Sequence, residues 1–243
     1  MQRLKDLASP VSLALQSLDT TLCKGDFNNI PAITTTMQGV IGIFLNPFPN
    51  FFTDPAKTVI PAACAAGTIA SIIFSTIYDA NRKVGAECVM HNLGFMYTVL
   101  CLGWLMHNYL APAPRHHFPE YMAVCVLTMS CPRRFWLDHL DAVDVGQFAA
   151  AGLLNPTQFA GTEIELVVAH LAAVVGAAVM VWYRTEVEVW KTLLKVETQI
   201  WAPTVERLED PTELAQYGLC LTTFKGFLEQ EKNTVKKTVG IEA

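Results

Sequence analysis

The sequence predicts an all-α fold: a polytopic bundle of about four transmembrane helices, with a fifth admissible, and a C-terminal helical hairpin outside the bilayer. Three observations lead there. The chain is 52% hydrophobic and only 16% charged, against about 25% charged residues in an average soluble domain. Its mean hydropathy is +0.32. Its charges leave long gaps, with none between Asp26 and Asp54, between Lys57 and Asp79, or between Glu87 and Arg115. A charge at the bilayer centre costs about 2.5–3.5 kcal/mol, and a spanning helix needs about 20 mostly apolar residues.

A net charge of −5 and a pI near 5.7 exclude a generally basic nucleic-acid binder, which needs clustered Lys and Arg. The apolar content excludes a disordered chain.

Residues 1–32 read as an amphipathic or interfacial segment. Leu4, Leu7, Leu13, Leu15 and Leu18 are interrupted by Asp6 and Pro10, so no cleavable signal is expected. The bundle is assigned to residues 33–183. Its clearest spans are Thr58–Tyr78 and Cys88–Leu110, with a third over 164–183. Residues 33–52 are long enough but carry Pro47 and Pro49, which break helices. Residues 118–136 contain Glu120 and cross only if tilted or extended. The doublets Arg82-Lys83 and Arg133-Arg134 fall on one side, which basic-residue bias makes the cytoplasmic or matrix face. The last 60 residues hold 8 Lys+Arg and 10 Asp+Glu. There Val187, Trp190, Leu194 and Trp201, and then Leu214, Tyr217, Leu221, Phe224 and Leu228, recur at helical spacing, as a hairpin with two apolar stripes would.

Rows of small residues at four-residue steps, Ala62/Ala66/Ala70 and Ala169/Ala173/Ala177, mark helix contacts, because they let backbones approach in lipid. Thr68, Ser71, Ser75 and Asn92 are the pore-lining candidates, since uncharged polar groups in an apolar span can line a path for hydrated ions. Arg82, Lys83, Arg133 and Arg134 are candidates for lipid head-group contact.

Seven cysteines with no CxxC pair argue against a disulfide scaffold or zinc site and for buried small hydrophobes. Asp138, Asp141 and Asp144 recur every three residues and read as wet helix surface. No Walker loop, HExxH or GxSxG motif occurs, so no enzyme, catalytic residue, metal or cofactor is expected. Haem held by His107 and His170 is the alternative, since both lie near span ends.

The run from Tyr78 through Gly85-Ala86 and Cys88, a second span, the Pro-containing loop at Pro112 and Pro114, and a span closing on Cys131-Pro132 resembles the first half of the trimeric intracellular cation channels. The loop carries Ala-Pro where that family has glutamate–proline. The resemblance implies a cation-permeable oligomer in an intracellular membrane, with Arg82 and Lys83 at a lipid head-group site. The expected function is therefore a cation channel of the endoplasmic reticulum or mitochondrial inner membrane, with the bilayer and further copies as partners and no nucleic acid. The alternative is a non-catalytic subunit of a large membrane complex.

Overall fold

The computed structural model describes residues 10–18, 20–23, 29–46, 55–77, 93–113, 118–124, 126–129, 139–166, 180–183, 214 and 216–238. It is a mixed α/β protein, not a helix bundle. Among the described residues no helix is long and apolar enough to cross a membrane.

The chain divides into two compact units, Met1–Leu100 with Ala149–Glu163, and Cys101–Phe148 with Ile164–Ala243. A four-stranded parallel sheet runs in the order β1-β2-β3-β7, with β1 at Gly42–Leu45, β2 at Ser71–Ile77, β3 at Met96–Leu102 and β7 at Thr162–Leu166. Strands β1 and β2 are parallel in the register Gly42↔Ser71 to Leu45↔Phe74. Parallel neighbours need a crossover, and helix α3 (Pro55–Ala66) supplies it. Helices α1 (Pro10–Gln16) and α2 (Ile30–Thr36) precede β1. Asn29 caps α2 by accepting from the Ala32 N–H at 3.1 Å.

This βαβ unit explains why Thr58–Tyr78 looks like one span. Ile72, Ile73 and Phe74 are consecutive and all buried, as are Val99, Leu100 and Cys101 in β3. A parallel strand covered on both faces is a near-continuous apolar run. Here a helix and a strand of that kind lie end to end, divided at Gly67, whose φ is +70°. A side chain at positive φ costs about 1–2 kcal/mol, so Gly67→Ala should lower stability by that amount. Urea unfolding checks it, and an unchanged midpoint would place the turn elsewhere.

The small-residue row does not form one helical face. Ala62 is buried in α3, Ala66 ends the helix half-buried, and Ala70 lies beyond it, exposed, donating its N–H to the Ile41 carbonyl at 2.7 Å. Helix α5 (Ala142–Leu154) does approach the sheet closely. A Cβ on Gly152 would stand 2.8 Å from Cδ1 of Ile73. Helix α6 (Pro156–Phe159) then leads to β7, where Thr98 donates its hydroxyl to the Phe159 carbonyl at 2.8 Å.

In the second unit, β4 (Trp104–Leu105) pairs in parallel with β6 (His139–Leu140), and β5 (Val126–Met129), which follows α4 (Pro119–Val124), pairs in parallel with β8 (Met180–Tyr183). Helices α7 (Phe224–Gln230) and α8 (Lys232–Thr238) close the described chain. Phe224 and Phe227 are buried, as the apolar stripe predicts for Phe224, but residues 219–223 are not helical. The rest of the expected hairpin, from Arg184 to Glu213, lies outside the described residues.

Candidate functional site

In parallel α/β sheets ligands bind outside the carboxyl ends of the strands, where loops leave the sheet. In the first unit, the carboxyl end of β1 leads to Asn46, exposed, whose Oδ1 accepts from the buried Ser75 hydroxyl at 2.8 Å. The positive-φ glycines sit at the other end. Gly39, Gly67, Gly94 and Gly161 each precede a strand of the four-stranded sheet. Gly39, Gly67 and Gly161 serve helix-to-strand turns, and among the described residues the ligand edge has no positive-φ glycine.

The second unit gathers more chemistry at its strand ends. The register Leu105↔Leu140 aligns the two strand exits. From β4 the chain enters a 3₁₀ turn, Met106–Tyr109, and from β6 it passes directly to Asp141. His107 Nδ1 stands 3.7 Å from Asp141 Oδ1. The Asp141 side chain is 3% exposed and that of His107 41%, while Nδ1 itself is buried. The ring therefore turns Nδ1 inward toward the carboxylate and leaves its other edge open. Asp141 also accepts from the Val143 N–H at 2.9 Å, which caps α5.

Beside this pair the Tyr109 hydroxyl and His139 Nε2 meet at 2.9 Å, both buried. Tyr109 stacks on Phe118 with centroids 5.4 Å apart, and His139 packs on Phe224 at 4.9 Å. Phe227 sets its ring edge-on to His107 at 5.1 Å. Asp144, in the first turn of α5, accepts from the Thr222 N–H at 2.7 Å and the Thr222 hydroxyl at 2.9 Å. Burial pushes its carboxyl above the ordinary value of 3.8, against the lowering effect of both Thr222 bonds, and the neighbouring Asp141 adds a smaller push upward.

The sequence-derived candidates fall elsewhere. Thr68 is exposed and donates to the Val40 carbonyl at 2.8 Å; Ser71 and Ser75 are buried in β2. Asn92, Arg82, Lys83, Arg133, Arg134, Ala169, Ala173, Ala177 and His170 lie outside the described residues. Asp141 and Asp144 are buried and bonded, not wet surface. Cys101 is buried as expected, whereas Cys23, Cys64 and Cys220 are exposed. Among the described residues no group of three or more His, Cys, Asp or Glu could hold a metal ion. Sequence reasoning missed the cluster because His107 was weighed as a residue near a span end, with haem shared with His170 as the alternative, and never against Asp141. An Asp just ahead of a helical run, with a second Asp three residues on, is a helix-start signal that would have separated Asp141 and Asp144 from surface.

No family model matches the sequence, and no curated protein matches it either. Solved structures do. A nucleoside-diphosphate-sugar epimerase from Staphylococcus aureus superposes with a TM-score of 0.67 at 16% identity, over 86% of this chain and 84% of that one. Triphenylmethane reductase from Citrobacter sp. gives 0.66 at 15% identity, over 93% and 86%. NmrA, a negative transcriptional regulator solved in complex with NAD, gives 0.63 at 19% identity, over 97% and 81%. These overturn the cation-channel resemblance, and with it the readings as a channel or membrane-complex subunit and as an organelle membrane protein. Two of the three are enzymes, so the expectation of a non-enzyme is corrected too. That of no cofactor meets neighbours described in complexes with NAD and NADP.

The chain's own residues fit a dinucleotide only in part. A pyrophosphate is ordinarily held by a glycine-rich turn between a strand and a helix N-terminus. Nowhere in the 243 residues do two glycines stand two apart. The connection from β1 to α3, residues 46–54, has no glycine and includes Pro47 and Pro49, which cannot donate an N–H. The usual pyrophosphate cradle does not fit, and no step through a dinucleotide follows from these residues. What the comparison shows is the fold: this chain has the Rossmann-like α/β architecture of the epimerase, triphenylmethane reductase and NmrA.

Proposed function

We propose that the chain is an enzyme-type domain of the reductase and epimerase class, binding a nicotinamide dinucleotide weakly and acting on a small organic molecule with a hydroxyl or carbonyl group. The observation that carries this reading is the likeness in fold, over 86–97% of the chain, to proteins described as an epimerase, as reductases and as complexes with NAD or NADP. The parallel sheet, whose carboxyl end at Asn46 and Ser75 is where such folds take ligands, supports it. The missing glycine turn sets the expected strength. Without a glycine-rich turn to hold the pyrophosphate, affinity falls, and binding should saturate only in the high micromolar range or above.

Titration with NADH and NADPH, followed by quenching of the five tryptophans, tests it. Saturable quenching reversed by excess oxidised dinucleotide is the expected result. No saturable change up to millimolar dinucleotide overturns the reading. Binding without turnover of any carbonyl or alcohol in a broad panel would set the chain beside the regulator among its fold neighbours.

A further inference from the structure

We propose that His107 is a proton-transfer residue, oriented by Asp141, in a substrate site at the carboxyl ends of β4 and β6. This deepens the enzyme reading above and rests on it for the substrate class. Four observations carry it. The two residues leave adjacent parallel strands at the end where α/β folds place their chemistry. Nδ1 is buried and faces the Asp141 carboxylate at 3.7 Å. The side chain is nonetheless 41% exposed, so the Nε2 edge is the one a ligand can reach. Asp141 is itself anchored by the Val143 N–H, so it cannot swing away from the ring.

A carboxylate facing Nδ1 favours the tautomer with the proton on Nδ1 and the lone pair on Nε2. Among the described residues, Asp141 is the charged group in ion-pair reach of the ring, and α7 presents Phe227, an apolar edge, beside it. The step is a simple exchange. The O–H bond of a substrate hydroxyl breaks, an Nε2–H bond forms, and the electron pair stays on the substrate oxygen; in reverse, Nε2–H returns the proton to that oxygen. Phe227 beside the imidazole favours an alcohol or carbonyl compound with an apolar or aromatic flank. A 3.7 Å separation is longer than a hydrogen bond, as in many ligand-free sites, and closes when the ring takes up its proton.

Asp141→Asn tests the pair while sparing the fold, because asparagine caps a helix as well as aspartate does. Site-resolved carbethoxylation by diethyl pyrocarbonate, run alkaline enough that the ring is neutral in both proteins, should modify His107 several-fold faster in the unaltered protein than in Asp141→Asn. Equal rates overturn the proposal whatever the dinucleotide titration shows. On a substrate found by the panel, His107→Gln should lower kcat/KM by about 10²–10⁴-fold and abolish the fall in rate at acid pH. Retention of both the rate and that acid limb overturns the catalytic role and leaves the enzyme reading standing. Fast modification without any dinucleotide binding does the opposite: it sinks the parent reading and supports His107 as an activated base.

Discussion

Phe159→Ala should destabilise the protein by about 3–5 kcal/mol, a large part of the about 5–15 kcal/mol that holds a typical domain folded. The ring is 1% exposed, and its Cδ1 lies 3.6 Å from where a Cβ on Gly152 would stand. Its backbone is pinned from two sides: the Phe159 carbonyl accepts from Thr98 at 2.8 Å and from Thr162 at 2.6 Å. Removal of the ring therefore leaves a cavity whose wall cannot follow it inward, the case in which large-to-small changes cost most. In urea the midpoint should fall with the slope unchanged. A loss below about 1 kcal/mol, the cost of a minor core trim such as Ile→Val, would mean that this layer repacks freely.

The same packing explains why the sequence reads as a membrane protein. A hydropathy window cannot distinguish lipid from a sheet covered on both faces. Ile72-Ile73-Phe74 and Val99-Leu100-Cys101 are surrounded by protein, yet their side chains are those of a span. What separates the two is length and punctuation. Gly67 and Gly94 divide the apolar stretches into pieces too short to cross a bilayer, and β2 is rich in β-branched residues. Those signals were present in the sequence; a count of charges passed over them. The apolar spacing that includes Phe224 was legible for the opposite reason, being local, and Phe224 is buried.

The candidate site was harder to see because its members are distant in sequence. His107 and Asp141 come together only through the β4–β6 pairing, and strands of two residues each leave no periodicity to read. Asp144 and Thr222 are 78 residues apart. The polar groups singled out as pore lining, Thr68 and Ser75, are tied to Val40 and Asn46 by hydrogen bonds that are equally non-local. Hydroxyls in an apolar run can serve a pore or a protein interior, and the partner decides which.

Asp144 is where the second large effect is expected. Asp144→Ala deletes the acceptor for both the Thr222 N–H and its hydroxyl, and a hydrogen bond to a charged group contributes about 1.5–3 kcal/mol. Relief of the buried charge beside Asp141 offsets part of that, so a net loss of about 1.5–3 kcal/mol is expected. Asparagine should behave differently, and the difference depends on pH. Burial raises the Asp144 carboxyl above 3.8, so the folded protein holds that proton more tightly than the unfolded chain. Where the folded state binds more protons, stability falls with rising pH. The stability contributed by Asp144 is therefore fully present below the ordinary carboxylate value and is lost as pH rises through the raised folded value. Asp144→Asn keeps an acceptor for the Thr222 N–H and carries no charge at any pH. Relative to the unaltered protein, the asparagine variant should gain stability between acid and neutral pH, while the alanine variant remains the less stable of the two throughout. Urea unfolding of all three proteins across that range checks both points. A stability difference between asparagine and aspartate that stays flat with pH would show that the carboxyl of Asp144 titrates alike in the folded and unfolded chains.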